Sequence, residues 1–480
     1  MGGYAAGQFL RLAGNIVLTR LLFPAVFGEM ALVFIFLQGL QMFSDVGTGP
    51  AIIQSSRGDE TDFLNTAWTI QCVRGLLLWI ASWGVGWPVA AFYGDDRLRW
   101  LIPAAGLSAV LGGFESTAMH TLQRNLKLER LTLLDLTGQT VSIISIILLA
   151  LADRAIYGPG HPGAVWVVVI GSLMASAVRL ALSHTILPGI RHRWHFDREH
   201  ARHLFSFGRW IFVSTLLTFL AAQSDRLVFG KTIPLSLFGV YSIASMIAVL
   251  PTNAILKLGG AVVFPAYSRL VRRPDFGHLF LRVRMPLLLG GGAIASTLLA
   301  CGPSLVHVLY DPRYVEAGWI LQYLSAAAWF QILECTNGAA LLALGRVRWV
   351  AAGNAAKVIG MVALIPLGFH LGGFSGALVG LAGSDMAKYL TVALGVAVAR
   401  LGGFAGDVLL TALVAGTSAL GIAAGRFIAP RAPALVTFLI SFAAAALPWA
   451  AVSLWYLTTQ RRRARDEVPL GSPARSQAEY

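Results

Sequence analysis

The chain has 480 residues, 56% of them hydrophobic and only 12% charged, with a mean hydropathy of +0.69. Soluble domains carry about 25% charged residues, so a soluble enzyme or binding module is excluded in favour of a polytopic membrane protein. The net charge of +14 does not indicate nucleic acid, because the arginines stand in short loops between apolar runs, where positive charge sets membrane orientation.

Apolar runs separated by charged or Gly/Pro loops give about fourteen helical spans, each near the 20 residues that a bilayer core requires. Their centres fall near Ala13, Leu37, Leu78, Val110, Ser142, Val169, Leu217, Met246, Ala293, Ala328, Gly360, Val379, Ser418 and Phe442. The first run is followed by Arg20 and a second run, not by a small-residue cleavage site, so it reads as a span and not as a cleavable signal. Its polar residues Gln8, Arg11, Asn15 and Thr19 recur on one helix face, which points Arg11 and Asn15 at a polar cavity and leaves Arg20 as an anchor near the outer interface. The second span repeats the pattern with Gln38, Gln41, Asp45 and Thr48, the third carries Gln71 and Arg74, and the fifth Asp135, Gln139 and Ser142.

From Phe205 to Arg273 two long apolar runs form a helical hairpin whose few charges, Arg209, Asp225, Arg226 and Lys257, need partners or a wet cavity. Asp225 and Arg226 are adjacent and diverge by about 100 degrees, so Asp225 is expected to hold a neighbouring helix and Arg226 to bridge helices or line a cavity. Further on, Asn253 with Lys257, Gln331 with Glu334, and Asn354 with Lys357 are spaced to share helix faces. Stripes this polar cannot face lipid without a cost of several kcal/mol for each unpaired group. Asp385 and Lys388, one turn apart, are read as a self-neutralising pair. The long apolar stretch from Met361 to Leu401 has to be cut at Gly372 and Gly373, and Gly290 to Gly292 lie within a span, where they suit close helix packing.

Alternate loops are basic. One set holds Arg57, Arg124, Lys127, Arg130, the Arg191–His203 loop, Arg269 to Arg284, Arg346, Arg348, Arg400 and Arg461 to Arg465; the other only Arg97, Arg99, Arg154, Lys231, Arg313, Arg426 and Arg431. The positive-inside rule therefore expects both termini in the cytoplasm. The histidines His192, His195, His200 and His203 stand among arginines, which favours a solvated basic loop over a metal site. A weak internal repeat relates Thr19–Phe34 to Asp225–Ser245, six spans apart and in the same direction. It divides the chain into a six-helix lobe over 1–190, a basic linker over 191–203, a second six-helix lobe over 204–400, two additional spans over 401–459 and a tail over 460–480. Cys72, Cys301 and Cys335 are isolated in apolar runs and read as small buried hydrophobes. No HExxH, no GxSxG in a strand-to-helix setting and no Walker motif occurs, so neither enzyme chemistry nor a nucleotide cofactor is expected.

Several strings, in fixed order, carry a family likeness: TRLLFPAVFGEMALVF, FSDVGTGPAIIQ, a Gln-Ser-Asp-Arg-Leu near the end of one helix, FGVYSIAS opening the next, VVFPAYSRL leaving it, and LYDPRYVEAGWILQYLS. Together they resemble the Wzx-like oligosaccharide-lipid flippases of the multidrug/oligosaccharidyl-lipid/polysaccharide exporter superfamily. The resemblance implies two parallel lobes around a central cavity, and translocation of an undecaprenyl-diphosphate-linked oligosaccharide across a bacterial inner membrane by alternating access. It implies membrane lipids, a polysaccharide polymerase and a chain-length regulator as partners, and no nucleic acid. Such a substrate needs cations for the diphosphate, for which Arg11, Arg74, Arg209, Arg226, Lys257 and Lys357 are candidates, and polar walls for the sugars, such as Asn15, Gln41 and Asn253. Asp45 and Glu334 are the acids best placed to bind a coupling ion. Three alternatives are a cation-coupled drug or metabolite antiporter, a lipid II flippase, and a polysaccharide polymerase or ligase. A first span with two arginines and no acid speaks against the antiporter, and the lack of a large outward loop against the polymerase.

Overall fold

A computed structural model describes residues 2–44, 47–55, 57–125, 127–187, 192–198, 218–258 and 263–466, the side chains of Tyr4, Gln54, Leu128 and 460–466 apart. Regular structure among them is helical throughout. In chain order the helices are α1 (Gly2–Leu21), α2 (Pro24–Phe43), α3 (Thr48–Gln54), α4 (Thr61–Tyr93), α5 (Leu98–Gly113), α6 (Ala118–Arg124), α7 (Leu128–Tyr157), α8 (Val165–Thr185), α9 (218–232), α10 (Leu235–Leu258), α11 (Phe264–Leu270), α12 (Phe276–Leu309), α13 (Ala317–Ala343), α14 (Val347–Val398), α15 (Phe404–Ile428) and α16 (Ala434–Asp466). Nine of them, among the described residues, are long and apolar enough to cross a membrane. The chain is a multi-pass membrane protein.

Helix α14, at 52 residues, is two spans in one. At Gly372 and Gly373 the backbone leaves the helix, Gly373 at φ 60° and ψ −146°, a conformation that a residue with a Cβ does not adopt. The two limbs then run back along each other on a seam of glycines. A Cβ at Gly368 would lie 2.1 Å from the Gly376 carbonyl oxygen and one at Gly380 2.2 Å from that of Leu364, so the backbones touch directly. The expected cut at Gly372 and Gly373 is thus a hairpin turn. With α1, α5, α9 and α13 beside the nine spans, the helix order agrees with the expected pattern of about fourteen crossings.

Packing sorts the helices into two bundles. In the first, α4 packs on α5, α7 on α8 and α1, and α5 on α8 and α2; in the second, α13 packs on α10, α12 and α14, while α15 and α16 lie on α12. The main contact between bundles is α2 against α10, where Gly28 faces Leu235 and Gly239 faces Pro24. These are the Phe-Gly pairs of the internal repeat, Phe27-Gly28 and Phe238-Gly239, meeting each other. One apolar core, with Leu32, Val33, Ile35, Phe229, Phe238, Tyr241, Tyr314 and Ile365, spans both bundles at this end. Gly292 accommodates the indole of Trp449, and Gly291 the side chains of Ile255 and Ile332, as close packing of the triglycine segment requires.

Two sequence expectations are corrected. Arg284, expected in a basic loop, is buried in α12, where its fork meets Asp407 of α15 at 2.8 and 2.9 Å. Asp385 does not pair with Lys388 on its own helix: the α14 hairpin sets Lys357 opposite it at 2.7 Å, and Lys388 turns to Glu334 of α13 at 3.1 Å. Antiparallel limbs present a closer partner than the next turn of one helix does. The segment 192–198 is largely exposed and is also tied to α4, since Arg193, His195 and Asp197 donate their backbone N–H groups to Asn65, Thr69 and Thr66. His192 stacks on Trp68 at 5.3 Å and bonds Ser116 at 2.9 Å, and burial pushes its imidazole down to about 4, so it stays neutral.

Candidate functional site

A cavity of about 560 Å³ opens within the second bundle, walled by α9, α10, α13 and both limbs of α14, with Gln38 reaching in from α2. Every polar stripe noted in this half of the sequence contributes to it: Asp225 and Arg226, Asn253, Gln331 and Glu334, Asn354 and Lys357. The stripes converge because each is the polar face of a helix whose other faces pack on apolar neighbours.

The charges in the wall answer one another. Three carboxylates, Asp225, Glu334 and Asp385, stand with three cations, Arg226, Lys357 and Lys388, so the lining is formally neutral among the described residues. Lys357 and Asp385 are paired and buried, and Gln331 donates to the other Asp385 oxygen at 3.1 Å. Tyr241 donates its hydroxyl to Asp225, joining α10 to α9, and Arg226 donates to Ser245 at 3.2 Å. Asp225 therefore holds a neighbouring helix, and Arg226 is both a bridge between helices and part of the cavity wall. Gln223 donates to Gln38 at 2.9 Å, a hydrogen bond between side-chain amides that joins the bundles at the cavity edge. Neutral walls rich in amides and hydroxyls can exchange hydrogen bonds with a polyhydroxylated ligand, whereas a doubly charged group would have to compete with these ion pairs.

A second cavity of about 350 Å³ lies in the first bundle and is lined by Gln41, Gln71, Arg74 and His120. Here the expected site residues also serve helix ends. Arg74 donates to the Gln41 carbonyl at 2.6 Å and to Ser44 Oγ at 2.9 Å, at the last turn of α2, and Gln71 donates to the Gly112 carbonyl at the last turn of α5. Such carbonyls lack partners within their own helix, and a cation is favoured at that negative end of the dipole.

The remaining candidates separate. Arg11 is exposed on α1, and Lys257 is exposed near the end of α10, outside both cavity linings. Asn15 is buried and approaches Tyr310 at the junction of the bundles. Asp45 and Arg209 lie outside the described residues. Sequence reasoning missed three buried acids: Glu29, 2.6 Å from Arg97, Asp407, and Glu115, which shares Arg179 with Asp135 at 3.0 and 2.9 Å. Burial pushes the Glu115 carboxyl up, with Arg179 working against it. Arg179 could have been found as the one charge in the apolar run Val165–Leu182.

A family profile described as "Polysaccharide biosynthesis protein" matches residues 17–317. Among similar proteins, the teichuronic acid biosynthesis protein TuaB of Bacillus subtilis (strain 168) is 24% identical over 64% of this chain and 62% of its own length. The lipopolysaccharide biosynthesis protein WzxC of Escherichia coli (strain K12) is 22% identical over 77% of this chain and 74% of its own. This chain thus spans under two thirds of TuaB and about three quarters of WzxC. Among solved structures, the lipid II flippase MurJ in an inward closed conformation superposes with a TM-score of 0.72, covering 95% of this chain and 98% of MurJ at 13% identity. An inward-facing multidrug resistance transporter of the MATE family gives 0.63, over 86% of this chain and 96% of that one, also at 13% identity. At such identities the likeness is one of fold.

Proposed function

Since the chain belongs to the polysaccharide biosynthesis protein family, we propose that it is a flippase translocating a polyprenyl-diphosphate-linked oligosaccharide across a bacterial inner membrane for surface polysaccharide synthesis. The observation that carries this reading is the neutral, amide-rich cavity of the second bundle, set beside the junction of two bundles in a fold shared with a lipid flippase. The sugars take the amides and hydroxyls around Asn253 and Asn354. The diphosphate takes cations nearer the first bundle, with Arg74 and Arg11 as candidates, while the prenyl chain stays in lipid. Rocking of a lobe over 1–190 against a lobe over 204–400 gives alternating access, and α15 and α16 are additional to both. Glu334 and Asp45 are the candidate acids for ion coupling, and a polymerase and chain-length regulator receive the product.

The direct test is reconstitution. Purified protein in vesicles should move a fluorescent polyprenyl-diphosphate oligosaccharide between leaflets faster than protein-free vesicles do, and Asn253→Ala with Asn354→Ala should slow it about tenfold, a loss of roughly 1.4 kcal/mol in stabilisation of the moving complex. Movement of a small cationic drug with no movement of the lipid-linked sugar would replace the flippase with an antiporter.

Orientation gives a second expected result. Reporter fusions after Arg202, Arg273 and Arg465 should all read as cytoplasmic, because each follows an even number of crossings in the proposed order. An outward reading at any of the three breaks that order.

A further inference from the structure

Two strings that carry the family likeness, TRLLFP and LYDPRY, have no part in the cavity, yet they grip each other. Helix α1 ends at Leu21 without a glycine cap, and the chain turns directly through Leu22 and Phe23 into Pro24. Its last-turn carbonyls are satisfied from the other bundle. Arg313, in the turn between α12 and α13, donates to the carbonyls of Thr19 at 3.2 Å and Arg20 at 3.1 Å, and its guanidinium stacks over Phe23 at 4.4 Å. Tyr314, fully buried, donates to the Leu22 carbonyl at 2.9 Å. Asp311 holds Arg313 in place, accepting from its Nε at 2.7 Å and its backbone N–H at 3.0 Å.

The same arrangement occurs a second time. Lys231, at the end of α9, donates to the carbonyl of Phe92 in the last turn of α4 and lies over the Phe92 ring. Beside it Tyr93 of α4 donates to the Leu227 carbonyl of α9 at 3.1 Å. Two helices of the first bundle thus have their negative ends met by cations of the second, at the end where Gly28 and Gly239 bring α2 and α10 into backbone contact.

We propose that Arg313 and Lys231 form a two-point latch that holds the bundles shut at this end and sets the closed-to-open ratio of the transport cycle. The chemistry suits a reversible catch. A helix-end carbonyl released by an arginine at the aqueous end of a bundle is taken up by water, so opening exchanges one set of hydrogen bonds for another and leaves no buried orphan. Two of the scarce cations expected on the outward side thereby acquire a role beyond orienting the chain. The latch rests on the alternating-access part of the proposed function and is independent of the substrate.

Spin labels at Ile156 and Leu371, both exposed and placed one in each bundle, test it by pulsed dipolar spectroscopy. The full chain is used in lipid nanodiscs, with Cys72, Cys301 and Cys335 replaced by alanine. The wild type should show a dominant short distance. Arg313→Ala and Lys231→Ala should each raise the long-distance population several-fold, and together by tenfold or more. Tyr314→Phe, which keeps the ring and loses one bond, should raise it by a smaller factor. Arg431→Ala should leave the distribution unchanged, since Arg431 donates within its own segment to Phe427. If Arg313→Ala does not assemble, Arg313→Met retains the aliphatic stem and gives the same reading. Unchanged distances in the Arg313 and Lys231 variants overturn the latch. A shift in distances without lipid-linked sugar transport in vesicles keeps the latch and removes the proposed substrate.

Discussion

Arg284→Ala should remove most of the folded protein from the membrane fraction, the largest stability effect of any single substitution proposed for this chain. Arg284 and Asp407 are each about 2% exposed, and the guanidinium meets both carboxylate oxygens while its Nε donates to Thr336 at 2.8 Å. Tyr389 donates to the same carboxylate at 2.9 Å. The cluster therefore ties α12, α13, α14 and α15 together. Truncating the arginine leaves a buried carboxylate with one hydroxyl for company, and breaking such a pair costs about 3–5 kcal/mol. Replacing both charges should be milder, because two apolar side chains of similar volume avoid the stranded charge. Arg284→Met with Asp407→Leu and Tyr389→Phe should recover much of the yield, since Thr336 also donates to backbone carbonyls of its own helix. Melting of the detergent-solubilised protein followed by fluorescence-detected size exclusion measures this. A single variant that melts like the wild type would show the cluster to be dispensable.

Lys357→Met should lower the initial rate of translocation by tenfold or more while the protein remains in the membrane. Lys357 and Asp385 differ from the Arg284 cluster in lining a cavity, so a carboxyl deprived of its lysine can be met by water instead of being stranded in a packed core. The exchange Lys357→Asp with Asp385→Lys separates two roles. A pair that only fastens the α14 hairpin works in either order, and transport returns with the exchange. A pair whose charges face the ligand does not, and the exchange should leave abundance unchanged without restoring rate. Glu334→Gln completes the set: with Lys388 left unanswered, the dependence of transport on an ion gradient should fall even where the rate without a gradient is kept. Full activity in all of these variants would remove the second-bundle cavity from the transport path.

Helices, their order and the hairpin break at Gly372 were legible because the bilayer imposes a length and the glycines impose a break. Polar stripes were legible for the same reason: Asn253, Gln331, Glu334, Asn354 and Lys357 stand in apolar runs and do meet in one cavity. Partner choice was not. Periodicity along one helix suggested Asp385 with Lys388, whereas the pairing is decided by which limb lies opposite, a property of the fold and not of the spacing. Arg284 was hidden because Arg282 and a nearby basic turn made it look like part of a loop charge cluster, and its partner Asp407 is 123 residues away. Arg74 showed its position, next to a cavity, but not its bonds to the end of α2.

The placement of α15 and α16 bears on how the two bundles share any motion. Both helices rest on α12, and the buried pair of Arg284 with Asp407 fastens α15 to the interior of the second bundle. That bundle is therefore the larger of the two by a pair of long helices. In the proposed alternating access the larger body should therefore turn less than the smaller one, because rotational drag in a bilayer rises with the size of the turning body. Two helices that line neither described cavity would in this way make the two bundles mechanically unequal partners in that motion.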